Sequence, residues 1–275
     1  MRPELPEDLR RLLRARSQTL LDRVERFLDD APRRCTYVRT ERFSGRPLRT
    51  SWVRRLLGQR AATPVLGVLD SKFGGTPYVE EANLAWKGFR FLGQLHFARI
   101  QDLAPDLPRH GLFALDHEVR GPFSERFRVR WYPDPSEARA RSIPLPWTVG
   151  RWEARMSFAP GWSLPGGNAW ESPLPKEDME LLSHWTDWEP EGFLEDQLEP
   201  GVHRLGGHRS AGLDEHEAPP PPAGQAPASY VQLWRINSDN PAGFHWGTNW
   251  VYVLIHPEDL AAGRLERAVV TIANA

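Results

Sequence analysis

Nine histidines, one cysteine and three lysines among 275 residues leave few parts from which to build chemistry. His203 and His208 stand five residues apart and His245 and His256 eleven apart, with neither a His-Glu-x-x-His nor a Cys-x-x-Cys pairing. Asp116-His117-Glu118 and Asp214-Glu215-His216-Glu217 surround an imidazole with carboxylates but lack ligand spacing, so no metal and no cofactor is expected. A hydrolase needs a nucleophile held beside a base, and no Gly-x-Ser-x-Gly elbow is present. The Gly-Gly doublets at 74–75, 166–167 and 206–207 lack the spacing of a phosphate cradle and read as turns. Cys35 reads as a small core hydrophobe, and a single cysteine excludes an internal disulfide. Lys72 is the most suggestive lone charge. It lies in Ser71-Lys72-Phe73-Gly74-Gly75-Thr76-Pro77, where paired glycines would let a ligand approach the backbone. The plainer reading is a solvated turn lysine.

The elements around these residues follow from periodicity. Leu9, Leu12, Leu13, Leu20, Val24, Phe27 and Leu28 recur mostly at three- and four-residue spacing, which predicts an amphipathic helix over 7–29, before Pro32. Short strands are predicted at Cys35–Arg42, Val65–Leu69, Phe89–Leu95, Gly111–Asp116, Trp152–Phe158, Val231–Ile236, Val251–Ile255 and Ala268–Ile272. Phe127–Tyr132 alternates arginine with Phe127, Val129 and Trp131, the period of a half-buried strand. Pro175–Trp185 and Pro257–Ala262 are helix candidates, each with proline at its start. Residues 218–228, with four consecutive prolines, can only be a loop and read as an insertion within one domain spanning 1–275. The expected class is α+β, with a mixed or mostly antiparallel sheet, the N-terminal helix in a basic lead-in over 1–60, and long Pro- and Trp-rich loops.

Charge is unevenly placed. Residues 1–60 hold 16 arginines against 8 acidic side chains, a net of +8, while residues 171–217 hold 13 acidic side chains against three basic ones, a net of −10, although the whole chain carries only −1. The two regions either neutralise each other or one docks a partner of opposite sign. No run approaches the ~18 apolar residues of a membrane helix, and no signal peptide is evident. No membrane is therefore expected, and the cytoplasm is the expected compartment. Nucleic-acid binding by the basic first 60 residues ranks last, for want of a basic-and-aromatic module.

Several segments, taken in order, resemble the YwqG-like family, also called domain of unknown function 1963. Ser71–Pro77 is similar to its Ser-Lys-Phe-Gly-Gly-x-Pro, and Phe91-Leu92-Gly93-Gln94-Leu95 to its Phe-Leu-x-Gln-Ile. Trp131-Tyr132-Pro133-Asp134-Pro135 and His203-Arg204-Leu205-Gly206-Gly207-His208 resemble its Tyr-Pro-Asp-Pro and His-x-Leu-Gly-Gly. Trp234–Asp239, Trp246-Gly247 and Pro257–Leu260 resemble its Gln-Ile-Asp-Ser-Asp, Trp-Gly-Asp and terminal Pro-Glu-Asp-Leu. Asn237 and Thr248 stand where the family usually carries Asp, which weakens a metal or acid–base role at those positions. The resemblance implies an α+β fold, no known cofactor and no established activity. Some members are encoded near toxin systems, which suggests immunity or interaction roles.

The expectation is therefore a non-catalytic protein that binds a protein partner, a toxin among the candidates. Its binding surface would be the acidic 171–217 region (Glu191, Glu195, Asp196) or an aromatic loop surface that includes Trp246. The alternative is a small-ligand binder or enzyme in which Lys72, His203, Arg204, Asn237 and Asp239 converge on one cleft.

Overall fold

A computed structural model describes residues 7–19, 21–22, 25–26, 33–43, 65–86, 88–101, 103–118, 126–141, 148–163, 203–208, 230–247 and 249–274. Ten strands dominate: β1 (Arg33–Arg42), β2 (Lys72–Phe73), β3 (Phe89–His96), β4 (Leu112–Glu118), β5 (Phe127–Tyr132), β6 (Ala154–Ser163), β7 (His203–Gly206), β8 (Val231–Ile236), β9 (Asn249–Ile255) and β10 (Val269–Asn274). They form one sheet in the order β10-β9-β8-β7-β1-β6-β2-β3-β4-β5, and each adjacent pair runs antiparallel.

The sheet curls into a nearly closed barrel. Phe73 of β2 and His203 of β7 lie three strands apart in the sheet, which would separate them by roughly 14 Å if it were flat. Their ring centroids are instead 4.8 Å apart. At the open seam, the short turn Leu265–Arg267 before β10 packs against β5.

Alternation along each strand sorts its side chains between the two faces. Val38, Phe73, Leu95, Phe113, Leu205, Trp234 and Val253 point inward and meet across the interior as one buried cluster. Each such side chain, fully buried, stabilises the fold by ~1.5–3 kcal/mol before entropic costs. A second, smaller cluster of Leu69, Tyr78, Phe91, Leu112, Ala114 and Tyr132 lies between the outer face of the β3–β5 region and the 65–86 segment.

This architecture overturns the expected α+β class with its N-terminal amphipathic helix as a defining element. The protein is mostly antiparallel β. Among the described residues α-helix is confined to α1 (Glu7–Arg16), some positions among 18–26, and α2 (Pro257–Ala261). The physical reason lies in the curl: the inner faces of the strands bury one another, so the main core needs no helical layer and draws no described residue from α1.

Two local expectations also change. Val65–Leu69 is a turn rather than a strand, because the Asp70 carboxylate accepts the Gly67 N–H at 2.7 Å while the Asp70 N–H donates back to the Gly67 carbonyl. Lys72–Phe73, read as a turn, is a strand wedged between β3 and β6. The expected helix at 175–185, the loop at 218–228, Thr248 and the acidic residues Glu191, Glu195 and Asp196 lie outside the described residues. No helix among the described residues is long and apolar enough to cross a membrane.

Candidate functional site

Two strand ends and one tight turn bring the most reactive pair together. His203 opens β7 facing inward, and its Nε2 lies 2.9 Å from Oδ2 of Asp239, with both side chains fully buried. The His203 Nδ1 accepts the Asn237 N–H at 3.0 Å, so the imidazole carries its proton on Nε2 and donates it to the carboxylate. Asp239 also accepts from the Thr40 hydroxyl and from the Ala242 N–H. Its backbone N–H and carbonyl both pair with Phe244, closing a turn over 239–244. Burial pushes the Asp239 carboxyl up, but the His203 bond, backed by Thr40 and Ala242, outweighs it and holds the group below the usual carboxylate range. Phe73 and Phe244 pack against the His203 ring.

Lys72 belongs to the other face. Because Phe73 points inward to His203, its neighbour on the strand points outward. The Lys72 ammonium donates to the carbonyls of Gly67 at 2.6 Å and Leu66 at 3.3 Å and is fully buried. Burial pulls its pKa down to about 8, against the upward pull of Glu153 and Asp70. Gln94, directly across the β2–β3 ladder, extends the same function: its amide donates to the carbonyls of Val68 and Asp70 and its oxygen accepts from the Tyr78 N–H. Glu153 completes the set by accepting from the backbone of Val65 and Leu66. Lys72, Gln94 and Glu153 together strap the 65–79 segment onto the barrel.

The remaining expected site residues divide between these faces. Arg204, adjacent to His203, points outward, where it is cross-strand to Arg235 and donates to the His208 carbonyl at 2.8 Å. Asn237 meets His203 through its backbone N–H. Trp246 donates its backbone N–H to the Ser238 hydroxyl and packs its ring on Phe244, His117 and Phe127. The structure thus gathers His203, Asn237, Asp239 and Trp246 near one end of the barrel and sets Lys72 and Arg204 outside it. Asp116 of the acidic triplet is a counter-ion: Arg130 grips it through both oxygens at 2.9 and 3.0 Å, and Arg128 adds a third bond. Among the described residues no group of three or more His, Cys, Asp and Glu could hold a metal ion.

The rim above the Asp239 turn carries a feature that sequence reading missed. The Trp152 backbone N–H donates to the Ala242 carbonyl, and a Cβ at Gly243 would sit 2.4 Å from the Trp152 ring, so the indole lies directly on the turn. The guanidinium carbons of Arg42 and Arg151 lie 3.9 and 4.8 Å from the centroid of that ring. On the adjoining outer face Arg155 covers Phe43 at 4.3 Å. The signals were present in the basic bias of residues 1–60 and the tryptophan-rich middle. What joins them is the pairing of β1 with β6, which spacing along the chain does not disclose.

The family model for Domain of unknown function (DUF1963) matches residues 71–273. No curated protein matches the chain.

Proposed function

This chain belongs to the family of domain of unknown function 1963, and from that premise we propose that it is a non-catalytic protein whose role is to bind another protein. One observation carries the reading: Lys72 and the His203–Asp239 pair occupy opposite faces of the same sheet. A reacting atom could not be within reach of both. Each group is also engaged with backbone, Lys72 through the Leu66 and Gly67 carbonyls and the His–Asp pair through Asn237 and Ala242. Side chains held in this way fix turns and leave recognition to the loops and rims that those turns support.

The test is recovery of the chain from its native cells at its own expression level. The expected result is a stoichiometric complex with one other protein, which re-forms from the two purified components. Recovery of the bare chain with a small molecule that it turns over would overturn the reading.

A further inference from the structure

We propose that the rim formed by Arg42, Arg151, Trp152, Arg155, Phe43 and Val65 is the docking surface, and that its partner is a protein presenting carboxylates around an apolar side chain. The inference rests on the protein-binding reading above and names the face and the chemistry of the partner.

Charge comes first. Elsewhere on the described surface Arg99, Arg126, Arg139, Arg264 and Arg267 each lie against a carboxylate. Arg33, Arg34, Arg39, Arg109 and Arg141 are exposed without an ion pair among the described residues, and the rim gathers Arg42, Arg151 and Arg155, in the same state, around Trp152 and Phe43. Glu41, directly opposite Arg155 in the ladder, makes none with it. Stacking on Trp152 and Phe43 holds these guanidiniums in place, which lowers the entropy lost when they bind. A guanidinium lying over a ring keeps its N–H edges for a carboxylate, the geometry of a bidentate pair.

Apolar exposure coincides with the same place. Among the described residues the exposed large hydrophobic side chains are Phe43 and Val65. Both are tied to one residue: the Phe43 N–H donates to the Glu153 carbonyl at 2.8 Å and the Val65 N–H to its carboxylate at 2.7 Å. Glu153 sits between Trp152 and the start of β6, so Phe43, Val65 and Arg155 lie on the outer side and the Trp152–Arg42–Arg151 stack on the other side of one rim. Aromatic and arginine anchors around an apolar centre are the composition of a protein-binding hot spot.

Nucleic acid fits less well. Single-stranded bases need open ring faces on which to stack, whereas the Trp152 ring is approached by Arg42, Arg151 and the Gly243 turn, and Phe43 by Arg155. Val65 and Glu41 also offer nothing to phosphate.

The experiment uses the full chain and a fluorescein-labelled peptide of alternating glutamate and leucine, with a lysine–leucine peptide and polyuridine RNA as rival probes. Wild type should bind the glutamate peptide in preference to both, more weakly as salt rises. Arg42→Glu with Arg155→Glu should weaken that binding by ~10-fold or more and favour the lysine peptide, while Arg99→Glu changes little. Arg42→Gln with Arg155→Gln gives a milder loss and an unchanged melting temperature, which separates binding from folding. Equal binding of the glutamate peptide by wild type and the doubly reversed chain would overturn the proposal. So would tighter binding of RNA through these arginines, or self-association abolished by the double reversal, which would assign the rim to a second copy. A native partner that stays bound to the doubly reversed chain overturns this surface alone and leaves protein binding standing; a chain with no partner overturns both.

Discussion

His203 and Asp239, 36 residues apart in the chain, meet at 2.9 Å inside the barrel and share a buried hydrogen bond that joins β7 to the turn after β8. Thr40, 199 residues from Asp239, donates to the same carboxylate from β1. One side chain therefore ties three parts of the sheet and the 239–244 turn, and Trp152 with its two arginines rests on that turn.

Replacing Asp239 by alanine leaves the Thr40 hydroxyl, the His203 Nε2–H and the Ala242 N–H without their acceptor inside the protein. The expected loss is ~3–5 kcal/mol, read from urea unfolding. The pH dependence has a fixed sign. The folded carboxyl titrates below its ordinary value of 3.8, so the stability it contributes is fully present above that value and is lost as pH falls through the folded pKa. The Asp239→Asn variant should lack this part of the acid transition, and equal acid midpoints for the two proteins would refute the assignment.

Lys72 predicts the opposite end of the pH scale. Its folded pKa of about 8 lies below the ordinary 10.5, so between those values the unfolded chain binds more protons than the folded one. Stability from this group therefore rises as pH goes from 8 to 10.5, by up to ~3 kcal/mol, and is withdrawn as pH falls back through 8. Urea midpoints of wild type minus those of Lys72→Met should show this slope and be flat below pH 8. A difference independent of pH would mean that the ammonium is not desolvated.

The buried Asp116 should behave as a counter-ion. Alanine at this position leaves Arg130, itself buried, and Arg128 without their carboxylate, for an expected loss of ~3–5 kcal/mol. Arg130→Met should restore part of that loss in the Asp116→Ala background while being destabilising by itself. Additive losses in this double-mutant cycle would show that the two side chains do not act together.

The strands that alternate cleanly were legible in the sequence. Phe127–Tyr132 forms over the residues expected, since a side-chain period of two needs no tertiary information, and Val231–Ile236 also forms over its expected residues although a bulge between Gln232 and Trp234 interrupts its alternation. Lys72–Phe73 carries no period in its two residues and reads as a turn in the sequence; the neighbours β3 and β6 make it a strand. The apolar residues of Val65–Leu69 predict a strand, but Asp70 captures Gly67 and folds the segment back. The α+β class failed for a related reason: helical periodicity was visible at 7–29, while the curl that lets strands bury strands depends on which strands pair. The same limit hid the site. Lys72, His203, Arg204 and Asp239 stand out in the sequence by residue type, but strand alternation, not spacing in the chain, sends Lys72 and Arg204 outward and His203 inward. Arg42 and Trp152 meet because β1 runs beside β6, a pairing with no local signature.

Two glycines separate backbone strain from crowding at the rim. Gly243 and Gly263 have φ of +76° and +69°, where an L side chain costs ~1–2 kcal/mol. A Cβ at Gly263 would meet nothing within 4 Å, whereas one at Gly243 would lie 2.4 Å from the Trp152 ring and 2.9 Å from the Arg151 Cβ. Gly263→Ala should therefore show the backbone cost alone, and Gly243→Ala should lose a further ~1–3 kcal/mol as the indole is displaced. Because Trp152 carries Arg42 and Arg151, only the Gly243 variant should also weaken binding of the glutamate–leucine peptide. Equal stability losses in the two alanine variants would mean that the turn does not support the tryptophan.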